Sequence, residues 1–392
     1  MLNLESIKNI PTPCYVYDLG LLEQTLSIAK NHANKYNYHL HYAIKANANK
    51  RVLEKIAASG FGADCVSGGE IKVAIDAGFS PSKIVYAGVG KSDKEINFAI
   101  EQNILCFNVE SLPELLIIEE LAYKQGKTVN VALRVNPDIK ADTHSNIATG
   151  SKEKKFGINI DKLDEVLDTL KTLKNVVYKG IHLHIGSQIL NMNNFVDICN
   201  AVNDLQILFE KKDFVPEIIN IGGGLGIDYQ NPQNNPVPDF ANYFATINEH
   251  LNVKSGQQIH LEPGRSIVGQ SGALLTEVLY IKEGSEKKFA IVDAGMSELI
   301  RPALYDAYHK IVKIDYSQNI ENLAEVGENL ENTAVYDVVG PICESSDIFA
   351  KDRFMSSLQR GDKLLILSAG AYGEVMSSNY NMRKLEEPYF VS

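Results

Sequence analysis

The sequence predicts an α/β protein, a (β/α)8 TIM barrel followed by a C-terminal antiparallel β domain. Two observations predict the pair of domains. After about residue 18, eight apolar, β-rich runs alternate with amphipathic helical stretches, within the roughly 250 residues that such a barrel occupies. After about residue 270 the rhythm breaks into short strand-like runs divided by turns. A third observation supports the barrel: the unusual polar residues fall at the C-terminal ends of the strands, where barrels keep their chemistry. A doubly wound open sheet is the alternative, and no strand carries a complete G-x-G-x-x-G fingerprint to support it.

The barrel strands are expected at HYAIK (41–45), GADCVS (62–67), KIVYAG (83–88), ILCFNV (104–109), VNVALRV (129–135), GIHLHIG (180–186), EIINIGG (217–223) and QIHLEPG (258–264). Each is a short apolar run of the kind that parallel sheets bury on both faces. Between them, stretches such as GLLEQTLSIAKNHANK, SLPELLIIEELAYKQG and DFANYFATINEHLN carry helical spacing. Asn47 and Asn49 offer N-caps to the helix after the first strand. The Pro/Asn-rich YQNPQNNPVPDF (229–240) is the most linker-like piece. LLTEVLYIK, KKFAIVDAG, AVYDVVGPI and KLLILSAGAY supply the β domain, and the N-terminal YVYD joins it as an extra strand. The expected boundaries are 19–268 for the barrel and 269–392 with 1–18 for the β domain.

The 392 residues are 45% hydrophobic and 22% charged, the balance of a globular protein with a sizeable core. No apolar run approaches the roughly 18–20 residues that span a bilayer, and the N-terminus lacks a secretory layout. The five scattered cysteines have neither CxxC nor metal spacing, so reduced thiols and a cytoplasmic location are expected. A net charge of −11 without a basic block argues against nucleic acid or an anionic membrane as partner.

Lys45 stands at the end of the first barrel strand. Desolvation there lowers the pKa of an amine and frees it for a Schiff base with a carbonyl; a solvated surface lysine is the blander reading. The run Gly222, Gly223, Gly224 after the seventh strand lets backbone N–H groups approach an anion, or makes a tight turn. Barrels often bind phosphate after strands seven and eight, and Arg265 follows the eighth. Glu262 follows the eighth strand. It is either a core ion pair with Arg265 or a partner for a protonated pyridine nitrogen. His182 and His184 lie two apart on a strand and so share one face. No third ligand has suitable spacing, so no metal is expected, and one of them packs on a flat ligand or serves as a core histidine. Together these features suggest pyridoxal phosphate.

The chain resembles the diaminopimelate decarboxylases, pyridoxal-phosphate enzymes with an alanine-racemase-type barrel and a C-terminal β domain. The segments that carry the resemblance span nearly the whole chain: PTPCYVYD, YAIKAN, ADCVSGGE, KFGI, HLHIGSQ, GGGLG, EPGRSIV, SELIRPALYDAYH, CESSD and GAYGEVMSSNYN. SELIRPALYDAYH with CESSD is the part most specific for diaminopimelate. Val89, where many relatives carry asparagine, and Cys14, in place of an apolar residue, depart from the pattern.

The resemblance implies that Lys45 holds pyridoxal 5'-phosphate as an internal aldimine and that His184 stacks on its ring, with Ser187 close by. Gly223, Gly224 and the run Glu262, Pro263, Gly264 and Arg265 would bind the cofactor, Glu262 facing the ring nitrogen. Arg265, Arg301 and Tyr305 would grip the distal carboxylate of the substrate, and Glu344 would receive the distal ammonium. Tyr372 would touch cofactor and substrate, and Cys343 is a candidate proton donor to the carbanion. The CESSD segment and Tyr372 would complete the neighbouring subunit's active site, which implies a homodimer with shared sites. The implied activity is decarboxylation of meso-2,6-diaminopimelate to L-lysine, the last step of lysine biosynthesis. The alternatives are a decarboxylase for carboxynorspermidine, ornithine or arginine, a racemase of the alanine type, and a pyridoxal-phosphate-binding protein without turnover. Ornithine and arginine lack a distal carboxylate for Arg301, and the β domain is more than a bare binding barrel needs.

Overall fold

The computed structural model describes residues 4–137, 155–285, 287–318 and 333–391. Its strands in chain order begin with β1 (Cys14–Asp18), β2 (His39–Ala43), β3 (Gly62–Cys65), β4 (Ile84–Tyr86), β5 (Cys106–Val109) and β6 (Val129–Asn136). They continue with β7 (Ile158–Asn159), β8 (Val176–His182), β9 (Ile218–Asn220) and β10 (Gln258–Leu261). The chain divides into two compact units. One comprises Leu26–Gly226 and Asp239–Gly264; the other comprises Met1–Thr25, Ile227–Pro238 and Arg265–Ser392.

The first unit is the barrel. The order β5-β4-β3-β2-β10-β9-β8-β6 closes on itself through a β5–β6 pairing, and neighbouring strands run parallel. All eight expected runs form its eight strands. Local chemistry sets the helices between them. Asn49 caps Lys50–Ala58 by accepting from the Arg51 N–H, and Ser67 and Ser111 cap Gly68–Asp76 and Leu112–Lys124 in the same way. Ser92 and Glu95 form a reciprocal capping box at the start of Asp93–Glu101.

The strands end earlier than the sequence runs suggest. β2 stops at Ala43, so Lys45 lies in the 3-10 turn Ile44–Ala46. β8 stops at His182, so His184 belongs to the following turn and does not share the strand face with it. Gly222 (φ +71°) and Gly224 (φ +116°) turn the chain after β9. The candidate residues therefore stand just beyond the strand ends, on turns that the barrel holds at one rim.

The second unit is the β domain. It adds β11 (Gly272–Glu283), β12 (Lys288–Val292), β13 (Ile311–Lys313), β14 (Thr333–Val339), β15 (Ile348–Ser356), β16 (Lys363–Ile366) and β17 (Tyr389–Val391). The order is β13-β16-β11-β12-β14-β15. Most pairings are antiparallel, while β12–β14 is parallel. As expected, YVYD joins this sheet: β1 pairs antiparallel with β11 and parallel with β17. The stretch Ile227–Pro238, which contains all but the last two residues of the linker-like piece 229–240, groups with this unit.

Candidate active site

At the barrel rim the Lys45 turn is held in place from several sides. The Tyr42 hydroxyl donates to the Asn47 carbonyl (3.0 Å), and the Ala43 N–H donates to the Pro263 carbonyl (3.2 Å). Gly264 fits because a Cβ there would touch the Cβ atoms of Ala43 and Ala46 at 3.0 and 3.1 Å. The Lys45 ammonium donates to Oδ2 of buried Asp64 at 3.2 Å, while Asp64 Oδ1 is buried without a hydrogen bond. Burial raises the Asp64 carboxyl, the Glu262 charge adds to that, and Lys45 counters it.

Glu262 follows β10 and is 5% exposed. It receives three donors: Asn220 Nδ2 (2.7 Å) and Asn108 Nδ2 (3.3 Å) on Oε1, and His182 Nε2 (3.1 Å) on Oε2. Burial alone would raise its pKa. His182, through its electrostatic influence and its hydrogen bond, and then the Lys45 charge outweigh burial and hold the carboxyl below the ordinary carboxylate range. The result is an ionised carboxylate beneath the Lys45 turn.

His184 sits in the turn after β8. Its Nδ1 accepts the Gly223 N–H at 3.2 Å, which places the ring proton on Nε2. Desolvation, then the Lys45 and Arg134 charges, lower its pKa well below the usual imidazole value. The ring is therefore neutral. Arg134 is itself buried and donates to Glu110 Oε1 at 2.7 Å. Ser187 lies half-buried three residues beyond His184. The triple-glycine turn is fixed sterically: a Cβ on Gly222 would sit 2.5 Å from the Leu183 carbonyl oxygen, and one on Gly223 would sit 2.2 Å from that of Glu262. Gly224 adds its positive φ.

The β unit presents a second group. The Tyr229 hydroxyl accepts from Arg265 Nη1 (2.5 Å) and Arg301 Nη1 (2.9 Å). Arg301 Nη1 also donates to His309 Nε2 (2.7 Å), whose Nδ1–H donates to the Leu367 carbonyl (2.9 Å). Burial, then the charges of Arg301 and Arg265, lower His309 to about 3, so it accepts as a neutral ring. Arg301 opens the short helix Arg301–Tyr305, with Pro302 in its first turn and Asp306 in the left-handed conformation at its end. Tyr305, four residues on, shares its face. The Arg265 guanidinium lies 4.9 Å from the ring centre of Tyr372, a residue with φ +56°. Cys343 and Glu344 are exposed on a loop; the Cys343 N–H donates to Asn381 Oδ1 (2.9 Å) and Glu344 accepts from the Tyr380 hydroxyl (2.5 Å).

Lys45, His184, Gly223 and Glu262 thus gather at the barrel rim, and Arg265, Arg301 and Tyr372 gather in the β unit. Sequence reasoning missed Asp64, Asn108, Asn220, Tyr229 and His309. A polar residue inside an otherwise apolar run, as in GADC, CFNV and IIN, was the available signal for the first three. Among the described residues no cluster of three or more His, Cys, Asp or Glu can hold a metal ion. The donor set suits pyridoxal phosphate: an amine for its aldehyde, an ionised carboxylate for its ring nitrogen and a neutral flat imidazole.

Comparison with known proteins agrees. The family model for the pyridoxal binding domain of pyridoxal-dependent decarboxylases matches residues 20–269. The diaminopimelate decarboxylase of Bacteroides thetaiotaomicron is 52% identical over 98% of this chain and 97% of its own length. That of Aquifex aeolicus is 41% identical, over 97% and 86%. The crystal structure of the Helicobacter pylori diaminopimelate decarboxylase complexed with L-lysine is 38% identical, with a TM-score of 0.88 over 98% of this chain and 92% of its own. By sequence over nearly its full length and by fold, the chain belongs to the diaminopimelate decarboxylases, within the pyridoxal-dependent decarboxylases.

Proposed function

We propose that this protein removes one carboxylate from meso-2,6-diaminopimelate and releases L-lysine and carbon dioxide, with pyridoxal 5'-phosphate as its cofactor. The observation that carries the substrate is Arg301. It is 6% exposed, it bonds to a phenol and an imidazole, and among the described residues no carboxylate pairs with it. A buried guanidinium without an anion is costly. A substrate with a second, distal carboxylate supplies that anion, whereas ornithine and arginine do not.

In this reading residues 19–268 form the cofactor-binding barrel, and 269–392 with 1–18 form the β domain. Lys45 would anchor the cofactor through its amine, and Asp64, which accepts from the Lys45 ammonium at 3.2 Å, would hold that ammonium whenever it is free. Glu262, kept ionised by its three donors, holds a proton on the ring nitrogen. Neutral His184 packs on the ring face, while Ser187, Gly223, Gly224 and the Pro263–Arg265 turn hold the rest of the cofactor. When bound, the cofactor supplies an electron sink for the charge left at the α-carbon by loss of carbon dioxide. Arg265, Arg301 and Tyr305 orient the distal carboxylate, Glu344 takes the distal ammonium, and Tyr372 lies against both ligands. Cys343 returns a proton to the α-carbon, so one proton is consumed for each carbon dioxide released. The acting form is a cytoplasmic homodimer in which Cys343 and Glu344 serve the partner's site. The resemblance also implies this for Tyr372, but its ring lies 4.9 Å from the Arg265 guanidinium of its own chain and so serves that chain's site.

The test is incubation of the purified, cofactor-loaded protein with meso-diaminopimelate and assay of lysine and carbon dioxide. Equimolar release of both, abolished in Lys45→Ala together with the visible absorbance of the bound cofactor, is expected. Turnover of ornithine or arginine in preference to diaminopimelate would reassign Arg301 and Glu344.

A further inference from the structure

At the end of the barrel opposite Lys45, where the strands begin, lies a cavity of about 380 Å³. His39 opens β2, Gln258 opens β10, and Lys83 directly precedes β4. Its lining includes Lys30, Lys83, His39, His41 and His260, and no Asp or Glu. That is an unusual wall in a chain of net charge −11 with 49 acidic residues. The two ammonium groups converge on one turn: Lys30 Nζ donates to the Ser59 carbonyl (2.7 Å) and Lys83 Nζ to the adjacent Gly60 carbonyl (3.1 Å). Each contact uses one of three ammonium protons. Among the described residues neither lysine has a carboxylate within ion-pair distance.

The histidines are arranged directionally. His41 Nδ1 faces the Lys83 carbonyl at 3.0 Å, so it carries the proton. His41 Nε2 then accepts from His260 Nδ1 at 2.8 Å, the two rings being stacked at 4.8 Å. His39 packs on His260 at 4.9 Å. Burial is the first cause that lowers all three, and the neighbouring Lys83 and histidine charges add to it. Three imidazoles that burial keeps neutral and two exposed ammonium groups thus line a concave surface with no carboxylate among its lining residues, although the Glu262 charge deeper in the barrel acts on His41 and His260. A low-dielectric cleft of one sign focuses field and concentrates the opposite charge. The volume lies within the lower part of the range of small-molecule sites.

We infer that the floor of the barrel is a second binding site, separate from the catalytic rim, for a small oxyanion: a phosphate or a short dicarboxylate held between Lys30 and Lys83. Calorimetric titration tests it, with inorganic phosphate in one arm and succinate in the other. The protein is loaded with cofactor so that the cofactor's own phosphate site is filled, and ionic strength is held constant. Saturable binding of one anion per chain is expected. It weakens about tenfold in Lys30→Gln and again in Lys83→Gln, since each removes a charge-assisted contact, and it is unchanged in Lys124→Gln on a distant helix. Binding in only one arm names the source of the oxyanion. Absence of saturable binding in both arms, or binding that survives the double substitution, overturns the assignment.

Discussion

Arg301 shows how far a single residue's surroundings constrain function. Its cationic form is buried against Tyr229 and His309, so its position is fixed before any ligand arrives. Arg301→Met should leave the protein folded and lower kcat/KM for diaminopimelate roughly a hundredfold or more, the cost of leaving a desolvated substrate carboxylate unpaired. An unchanged kcat/KM would remove Arg301 from the substrate site. His309 allows a separate test by pH. Its folded-state value of about 3 lies below the ordinary value of 6.5, so the unfolded chain binds the extra proton first as pH falls. The stability this ring contributes is complete above about pH 6.5 and drains away toward pH 3. The stability gap between wild type and His309→Gln should therefore narrow by about 3 kcal/mol between pH 7.5 and 4.5. Denaturant melts at the two pH values measure it, and a gap that stays constant would show that His309 is not held neutral. Lys45, His184 and Glu262 were legible in the sequence because each is a reactive or charged type at a strand end, whereas Arg301 was reached only through the family resemblance of SELIRPALYDAYH. Asp64, Asn108 and Asn220 were not, since one polar residue in a strand resembles any pleated position until barrel closure brings them together.

At the scale of the element, the turn after β9 joins fold to chemistry. Gly222 and Gly223 have no room for a Cβ because the backbone of Leu183 and Glu262 lies against them, and the Gly223 N–H fixes the His184 tautomer. Gly223→Ala should push the Glu262 turn outward, destabilise the protein by roughly 1–3 kcal/mol, and weaken cofactor retention measured by dialysis. Retention equal to wild type would separate this turn from cofactor binding. The parallel strands could be found from sequence because they are buried on both faces and need continuous apolar runs. In the β domain β11, β12, β14 and β16 were legible in the same way, whereas β13 and β15 were not. β13 has three residues, and β15 carries Lys351, Asp352 and Arg353 in its middle, where its pairing with β14 shifts register and Asp352 adopts a φ of +48°.

For the whole molecule, the exposed loop of Cys343 and Glu344 poses the remaining question of which copy of the chain it serves. A carboxylate and a thiol assigned to chemistry would ordinarily be desolvated, yet both are open to solvent in the single chain. The proposed homodimer would bury both against a second copy, and this leads to a complementation test. Lys45→Ala removes the anchor and Cys343→Ala removes the donor, and each variant alone should have little activity. If the loop acts across the dimer, a mixed dimer contains one barrel with an intact Lys45 that receives an intact Cys343 from its partner. Mixing the two inactive variants under conditions of subunit exchange should then restore turnover. If the loop acts within its own chain, every site in the mixed dimer lacks one of the two groups. Mixed dimers captured by two different tags but devoid of activity would sink the shared-site reading while leaving the roles of Lys45 and Arg301 untouched.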